Sequence, residues 1–244
     1  MVVEKFVANF QSRRFLEAHV AKTLQFYEPR AVDPVGGFFH YFLDDGTVYN
    51  GTHRHLVSAT RFVFNGAMAR RHTGRAAVAD WARHGLAHLE AFRLPNGLYA
   101  WTVNHGKIED ATVMAYGQAF VLLAKAHAFS VGCATREDVA EAFERMNDAF
   151  FRPADRAYAD EITPEGTLLD YRGQNANMHM CEACLAAHEF TGDVRYLDRA
   201  EMLIERFAFE LAAQSGDLVW EHYHADWRVD WDYNKDNPGN RYHR

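Results

Sequence analysis

Several features that mark other protein classes are missing from this sequence. No uninterrupted apolar stretch approaches the ~20 residues that span a bilayer, and the first residues lack the charged-then-apolar order of a secretory signal. No run of basic residues occurs, and the formal net charge is -7, which argues against a nucleic-acid or anionic-membrane partner. We therefore predict a cytoplasmic protein that binds neither nucleic acid nor membranes.

Cysteine is also scarce, since Cys133, Cys181 and Cys184 are too few for a disulfide framework. Cys181 and Cys184 form a CxxC, a spacing found in redox and zinc sites. They lie in a predicted helix beside Ala and Leu, however, and no second CxxC is present. We interpret them as small buried core residues, which is how free cysteine usually behaves.

Sequence motifs of common enzyme classes are absent too. The chain contains no GxSxG, Walker A or GxGxxG pattern. Its 48% hydrophobic and 24% charged residues are typical of a globular protein. No linker, low-complexity tract or proline-rich stretch divides it, so we predict one domain, residues 1–244, without a cofactor.

What the chain does contain is an internal repeat with a period of about 60 residues. Each unit has a helix rich in small residues, then a more amphipathic helix, then a short aromatic strand and a polar turn. The helices are predicted from apolar residues at i, i+3, i+4 and i+7. The units run from His55 to about Asp110, from Ala111 to about Asp170 and from Gln174 to about Asp232. An N-terminal helix, about Lys5 to Tyr27, precedes them.

These units predict a layered, all-α architecture. A helix–helix–hairpin unit cannot bury its own apolar face, so neighbouring units must stack. The first helix of each unit suits an inner position and the more charged second helix an outer one. Such hairpins form either an open solenoid or a closed α/α toroid, and the polar residues of the inner helices favour the toroid, whose inner helix ends frame one pocket.

The segment YRGQNANMHMCE, residues 171–182, is unusually polar for the start of a core helix. An unpaired buried polar side chain costs roughly 1–3 kcal/mol, so such a cluster serves either a binding site or a helix cap. Asn175, His179 and Glu182 share one helix face through their i, i+4, i+7 spacing. Arg61 and Tyr116 lie near the starts of the other inner helices.

Each of these residues also has a structural interpretation, which the sequence leaves open. Asn175 is placed to be a helix N-cap, and His179 to be a hydrogen-bonded core histidine. Arg61 would form a surface salt bridge, and Tyr116 would be a plain core aromatic residue.

Metal binding has weaker support. His84 and His88 have i, i+4 spacing, but we predict that they lie on the solvated face of an outer helix. His222 and His224 share a strand face, but nothing supplies the third ligand that a two-histidine site would need. We predict no metal site.

Several longer motifs carry a resemblance to a known family. They are GGFFHYFLDDG, Arg61 in the first inner helix, YGQAF, RGQNANMHMCEA, TGDVRYLDRA and DYNKDNP. With them the chain resembles the N-acylglucosamine 2-epimerase family of sugar isomerases and epimerases, and DYNKDNP is most similar to the aldose–ketose isomerase branch that acts on mannose. The resemblance implies an (α/α)6 barrel and a metal-free reaction. In the reaction that the resemblance implies, a histidine is expected to remove the proton next to the carbonyl of the open-chain sugar, which gives a cis-enediol(ate).

The resemblance also implies a set of pocket residues. Those expected to contact the sugar are Arg61, Tyr116, Asn175, Met178, His179, Glu182 and Arg241. His179 is expected to support catalysis, and Arg61 or Arg241 to stabilise the enediolate oxygen, which needs a preorganised cation or donor.

The chain departs from the family in length. Six units of this period need about 350 residues, and this sequence stops at NPGNRYHR, before the family's PGH stretch and both principal catalytic histidines. We expect the N-terminal portion of a sugar isomerase, an incomplete barrel with about three helical hairpins. Alternatives are an N-acylglucosamine 2-epimerase, a short homologue that completes its ring as a homodimer, and a catalytically incomplete carbohydrate-binding fragment. A glycoside hydrolase would need facing carboxylates, for which Asp110, Glu161 and Asp170 are candidates.

Overall fold

The computed structural model describes residues 9–75, 78 and 80–234, and this part of the chain is mainly helical. The helices are α1 (Arg13–Tyr27), α2 (Leu56–Thr73), α3 (Trp81–Leu89), α4 (Ala115–Ser130), α5 (Arg136–Phe150), α6 (Gln174–Thr191) and α7 (Val194–Ile204). After α7 the chain continues as a π-helical segment, Glu205–Leu211, and a 3-10 turn, Ala212–Ser215. Within these ranges no helix combines the length and the apolar character needed to cross a membrane.

Helices α2, α4 and α6 form an inner row in which α4 packs between the other two. They begin at Leu56, Ala115 and Gln174, so their starts are equally spaced along the chain. Helices α3, α5 and α7 pack against α2, α4 and α6 respectively. The predicted repeat and its two helical layers are therefore present. The small and apolar residues of α4 allow this helix to be buried along nearly its whole length.

Short antiparallel strands connect the helices. They are β1 (Tyr41–Phe42), β2 (Val48–Asn50), β3 (His53–His55), β4 (Thr102–Asn104), β5 (Lys107–Asp110), β6 (Val113–Met114), β7 (Phe151–Arg152), β8 (Ala157–Tyr158), β9 (Glu161–Ile162), β10 (Arg172–Gly173) and β11 (His222–Tyr223). β3, β4 and β5 form one sheet, and β1 pairs with β2, β6 with β9, β7 with β8 and β10 with β11. β3, β6 and β10 run directly into the inner helices. Since they pair with β4, β9 and β11, respectively, the start of each inner helix is hydrogen-bonded to the hairpin at the end of its own unit.

Two buried amide side chains fix these hairpins to the inner helices. The Oε1 atom of Gln118 in α4 accepts the Tyr99 N–H at 3.1 Å, and its Nε2 donates to the Tyr99 carbonyl at 2.8 Å. Asn177 in α6 makes the same pair of bonds to Tyr158, at 2.8 and 3.0 Å, and also donates to the Gly173 carbonyl at 2.9 Å. Buried polar groups are almost always paired, and here the pairing sets the position of each hairpin relative to its helix.

Local sequence signals explain most helix ends. Gly74 and Gly192 end α2 and α6 in the left-handed conformation, with φ of 61° and 71°, as predicted for glycine after a helix. The N-terminal helix begins at residue 13 instead of near Lys5, because the Ser12 side chain caps α1 there. Residues 5–8 of that prediction lie outside the described residues.

The cysteines occupy packing positions. Cys184 is fully buried within α6, and Cys181 is half-buried, with its Sγ 3.7 Å from the Ala200 carbonyl oxygen. Burial raises the pKa of both thiols. This agrees with the interpretation of the CxxC as core residues, although Cys181 is only partly enclosed.

Candidate functional site

Side chains from three inner helices meet near the starts of those helices. The Arg61 guanidinium of α2 donates to the Tyr116 hydroxyl of α4 at 3.4 Å and lies 4.9 Å from the centre of the Phe120 ring. The His179 ring of α6 lies 5.0 Å from the Tyr116 ring and 4.7 Å from the Phe120 ring. The structure thus brings Arg61, Tyr116 and His179 together. Phe120, one turn after Tyr116, was not identified from the sequence.

His179 is oriented by a carboxylate on its own helix. Its Nδ1 lies 2.8 Å from Oε2 of Glu182, three residues further along α6. A carboxylate only accepts hydrogen bonds, so Nδ1 carries the proton and Nε2 of the neutral ring keeps its lone pair. The His179 side chain is 19% exposed and that of Glu182 is 51% exposed. The pair therefore presents a basic nitrogen at the edge of the cluster.

Other predicted site residues lie elsewhere. Asn175 is half-buried in the first turn of α6, but Gly173 occupies the N-cap position, so the N-cap interpretation of Asn175 is wrong. Met178 is 46% exposed and faces a small cavity between α6 and α7, next to Cys181. The structure does not bring Met178 together with His179. Arg241 lies outside the described residues.

The wall of the cluster continues through residues that were not identified from the sequence. The Trp101 ring lies 6.4 Å from the Tyr116 ring and 4.2 Å from the His55 ring. His55 is the N-cap of α2, where its Nδ1 accepts the Val57 N–H at 3.2 Å. The aromatic hairpin that contains Trp101 follows α3, and its contact with the inner row depends on the pairing of β3 with β4. That pairing is not visible in a local sequence pattern.

A cavity of about 600 Å³ opens between α1 and α2. Its lining is mostly apolar, but Arg61 and His40 contribute polar groups. Burial lowers the pKa of His40 to about 3, so this imidazole is neutral near pH 7. Since Arg61 borders both this cavity and the Tyr116 ring, the cavity adjoins the side-chain cluster.

A buried carboxyl links two inner helices behind the cluster. Oδ2 of Asp160 accepts the Gly173 N–H at 2.7 Å, just before α6, and the Asp160 carbonyl accepts the Ala115 N–H at 2.7 Å, at the start of α4. Burial raises the pKa of Asp160 to about 7, although the Gly173 N–H and the nearby Arg172 oppose this rise. Asp160 therefore titrates near neutral pH while it holds two helix starts.

The prediction that His84 and His88 of α3 lie on a solvated helix face is wrong. Neither side chain lies on a freely solvated face, because both pack against the loop before β1. His84 Nε2 lies 2.7 Å from the Gly37 carbonyl oxygen, and the His88 ring covers the same glycine. A long-range loop contact of this kind is not visible in helical spacing.

The second histidine pair is also separated. His222 lies in β11 and contacts Tyr171 through Nδ1 at 2.8 Å, whereas His224 lies in the following turn, with Nε2 3.9 Å from Asp230. They do not share a strand face as predicted. Among the residues described, no group of three or more histidine, cysteine or acidic side chains could hold a metal ion.

The three carboxylates considered for a hydrolase lie in the hairpin regions. Asp110 ends β5 and accepts the Thr112 N–H at 2.9 Å. Glu161 begins β9, half-buried, and Asp170 is exposed just before β10. Asp110 thus makes a local turn contact.

Comparison with known proteins identifies the family. The sequence profile of N-acylglucosamine 2-epimerase (GlcNAc 2-epimerase) matches residues 37–243. The chain belongs to the N-acylglucosamine 2-epimerase family. This confirms the resemblance that the sequence motifs carried.

Three relatives illustrate the similarity. A D-mannose isomerase from Marinomonas mediterranea is 44% identical over 233 residues, which cover 94% of this chain and 59% of the relative. A crystal structure of D-mannose isomerase superposes with a TM-score of 0.93 and 42% identity, over 97% of this chain and 61% of that one. The cellobiose 2-epimerase of Spirochaeta thermophila has a TM-score of 0.76 at 20% identity, over 91% of this chain and 60% of that one, and supports the fold alone.

The length relation is the same in each case. This chain spans about three fifths of the length of each of these three proteins. The described helices therefore form part of an (α/α)6 barrel, as predicted.

Proposed function

We propose that the protein is an isomerase that interconverts an aldose and a ketose of the mannose–fructose type through a cis-enediolate. The observation that carries this proposal is the cluster of Arg61, Tyr116, His179 and Glu182, which three helices bring together. The high similarity to relatives named D-mannose isomerase supports the choice of sugar.

The chemistry of the cluster suits this reaction. A proton next to a carbonyl is a weak acid, so its removal requires a base and a group that stabilises the developing oxygen charge. His179, with Nδ1 bound to Glu182, offers Nε2 as a supporting acid–base group or as an acceptor for a sugar hydroxyl. Arg61 supplies a cation, and the Tyr116 hydroxyl supplies a second hydrogen-bonding group beside it.

The remaining assignments follow from this function. The partner is a small monosaccharide, and Asn175 contributes a free amide to its hydroxyls, since its side chain makes no hydrogen bond to any other described residue. We place the protein in the cytoplasm, where its three unpaired cysteines would stay reduced, and regard residues 1–244 as part of a single barrel domain.

A coupled assay of mannose-to-fructose conversion by the full-length protein tests the proposal. Turnover should persist with EDTA, because no metal takes part in the proposed step. His179→Ala should lower turnover at least tenfold, within the range that acid–base groups contribute, while the far-UV circular dichroism spectrum is unchanged. His188→Ala, on the same helix but bonded to the Asp193 carbonyl, is the matched control.

The other outcomes are informative as well. An unchanged rate in His179→Ala would remove this residue from the site, and turnover abolished by EDTA would contradict a metal-free reaction. Conversion of N-acetylglucosamine in place of mannose would indicate a 2-epimerase. Sugar binding without turnover would indicate a carbohydrate-binding protein.

A further inference from the structure

We propose that His55 is a catalytic electrophile, a neutral imidazole whose Nε2–H donates to the sugar oxygen that becomes negative in the enediolate. This inference rests on the proposed isomerase function and adds a residue to it. It assigns to His55 a role distinct from that of His179, although both are histidines at the starts of inner helices.

The hydrogen bonds of His55 determine its tautomer. Nδ1 accepts the backbone N–H of Val57 at 3.2 Å, so the lone pair of the neutral ring lies on Nδ1 and the proton on Nε2. Nε2 makes no hydrogen bond within the described residues, and it is not among their fully buried unpaired atoms. An unused N–H donor therefore remains open to a ligand.

The contacts of the His55 ring place this residue beside the candidate site. The ring packs edge-on against Trp101 at 4.2 Å, and Trp101 continues the wall to Tyr116. Arg61 lies six residues further along the same chain segment, close enough for its charge to act on His55. The backbone N–H of His55 donates to His40 Nδ1 at 3.1 Å, which fixes the chain at the start of α2.

The surroundings keep the ring neutral. Burial lowers the pKa of His55, and the nearby His53 and Arg61 lower it further. His53 in turn faces Glu109, with 3.2 Å between Nε2 and Oε2, and Tyr41. A helix N-terminus disfavours a cation, and a neutral histidine at such a position polarises the carbonyl in the isomerisation of triose phosphates.

His55 and His179 thus adopt opposite tautomers: Nε2 is a hydrogen-bond donor in His55 and an acceptor in His179. The carboxylate of Glu182 places the proton of His179 on Nδ1 and leaves Nε2 basic, whereas the Val57 amide does the reverse for His55. Enolisation requires both functions, because one group must take a proton from carbon while another stabilises charge on oxygen.

Two substitutions test the role. In His55→Asn the side-chain oxygen still caps α2, since asparagine is a favoured N-cap, but the shorter amide withdraws the donor. We expect kcat to fall about 100-fold, as for the loss of one oxyanion donor, with KM within about threefold. His55→Gln extends an amide N–H toward the position of the His55 Nε2–H, so its kcat should be at least ~10-fold higher than that of His55→Asn.

Two further measurements separate this role from others. The pH profile of kcat/KM should keep its shape in His55→Asn, since His55 does not transfer the proton, and the urea midpoint should be unchanged. D-Arabinonohydroxamate, whose two adjacent oxygens imitate the enediolate, should bind at least ~10-fold more weakly to His55→Asn by calorimetry, with fructose affinity within about threefold.

The results distinguish the two proposals. Normal kcat and normal hydroxamate affinity in His55→Asn, or loss of one limb of its pH profile, would overturn the role of His55 and leave the isomerase function intact. If the unsubstituted protein binds the hydroxamate but shows no turnover, the hydroxamate affinity of His55→Asn tests the role of His55 by itself: weaker binding supports the role, and equal binding overturns it. Failure of the unsubstituted protein to bind hydroxamate would overturn both.

Discussion

Replacing Asp160 with asparagine is expected to stabilise the protein at pH 8 far more than at pH 5. Asp160 is 7% exposed, and an asparagine oxygen in its place would still accept the Gly173 N–H that now lies 2.7 Å from Oδ2. The substitution therefore removes the charge while it keeps the bond that holds the start of α6.

The magnitude follows from the pKa. Burial raises the pKa of Asp160 from 3.8 to about 7, which at ~1.4 kcal/mol per pKa unit corresponds to ~4 kcal/mol. The folded state binds this proton more tightly than the unfolded state does. The stability contributed by the protonated carboxyl is thus complete below pH 3.8 and is lost as pH rises through 7. Between pH 5 and pH 8 the loss is about 2–3 kcal/mol, and asparagine avoids it.

Urea unfolding followed by tryptophan fluorescence at pH 5, 6, 7 and 8 measures this effect as the difference between Asp160→Asn and the unsubstituted protein. Other titrating groups cancel in that difference. Asp170→Asn, at an exposed carboxylate, is the matched control and should change the free energy of unfolding little at any pH. If the Asp160→Asn difference is constant from pH 5 to pH 8, the argument from burial is refuted.

Two further substitutions test the packing that positions the site. Asn177→Leu should lower the free energy of unfolding by about 3 kcal/mol, because it leaves buried backbone groups of Tyr158 and Gly173 unpaired. Urea unfolding measures this loss, with Asn175→Ala as the control. A loss below ~1 kcal/mol would contradict the expectation. Gly66→Ala should cost about 1–3 kcal/mol, because its Cβ would lie 2.6 Å from Trp81 Cβ. Thermal unfolding checks this, with Asn65→Ala, at an exposed neighbouring position on α2, as the control. Equal melting temperatures of the two variants would show that α2 and α3 can move apart to accept the added methyl group.

The repeat was predictable because its signal is both local and recurrent. Helical spacing of apolar residues, glycines after α2 and α6, and aromatic hairpins recur at a nearly constant interval, and the starts of the inner helices are equally spaced. Arg61, Tyr116 and His179 could be identified because polar side chains at the start of an inner helix are unusual. The family motifs pointed to the same positions.

The parts that sequence reasoning missed depend on contacts between distant segments. Asn177, not Asn175, is the buried structural amide, and only its bonds to Tyr158 show this. One signal was available, since Gln118 and Asn177 occupy the same position in successive repeats, as do their partners Tyr99 and Tyr158. The repeat itself therefore carries a signal for both amides. His55 carried no such signal, because its tautomer depends on one backbone bond.

The position of α4 has a consequence for how the molecule opens. This helix is enclosed by α2 on one side and α6 on the other, whereas α2 and α6 each contact one inner helix within the described residues. In stacked units each element is stabilised mainly by its neighbours, and regions with fewer buried contacts open at lower free energy. Amide hydrogens in the middle of α4, which is buried along nearly its whole length, should thus exchange with solvent more slowly than those of the outer helices α3, α5 and α7, so that the outer layer of the described fold opens before the centre of the inner row.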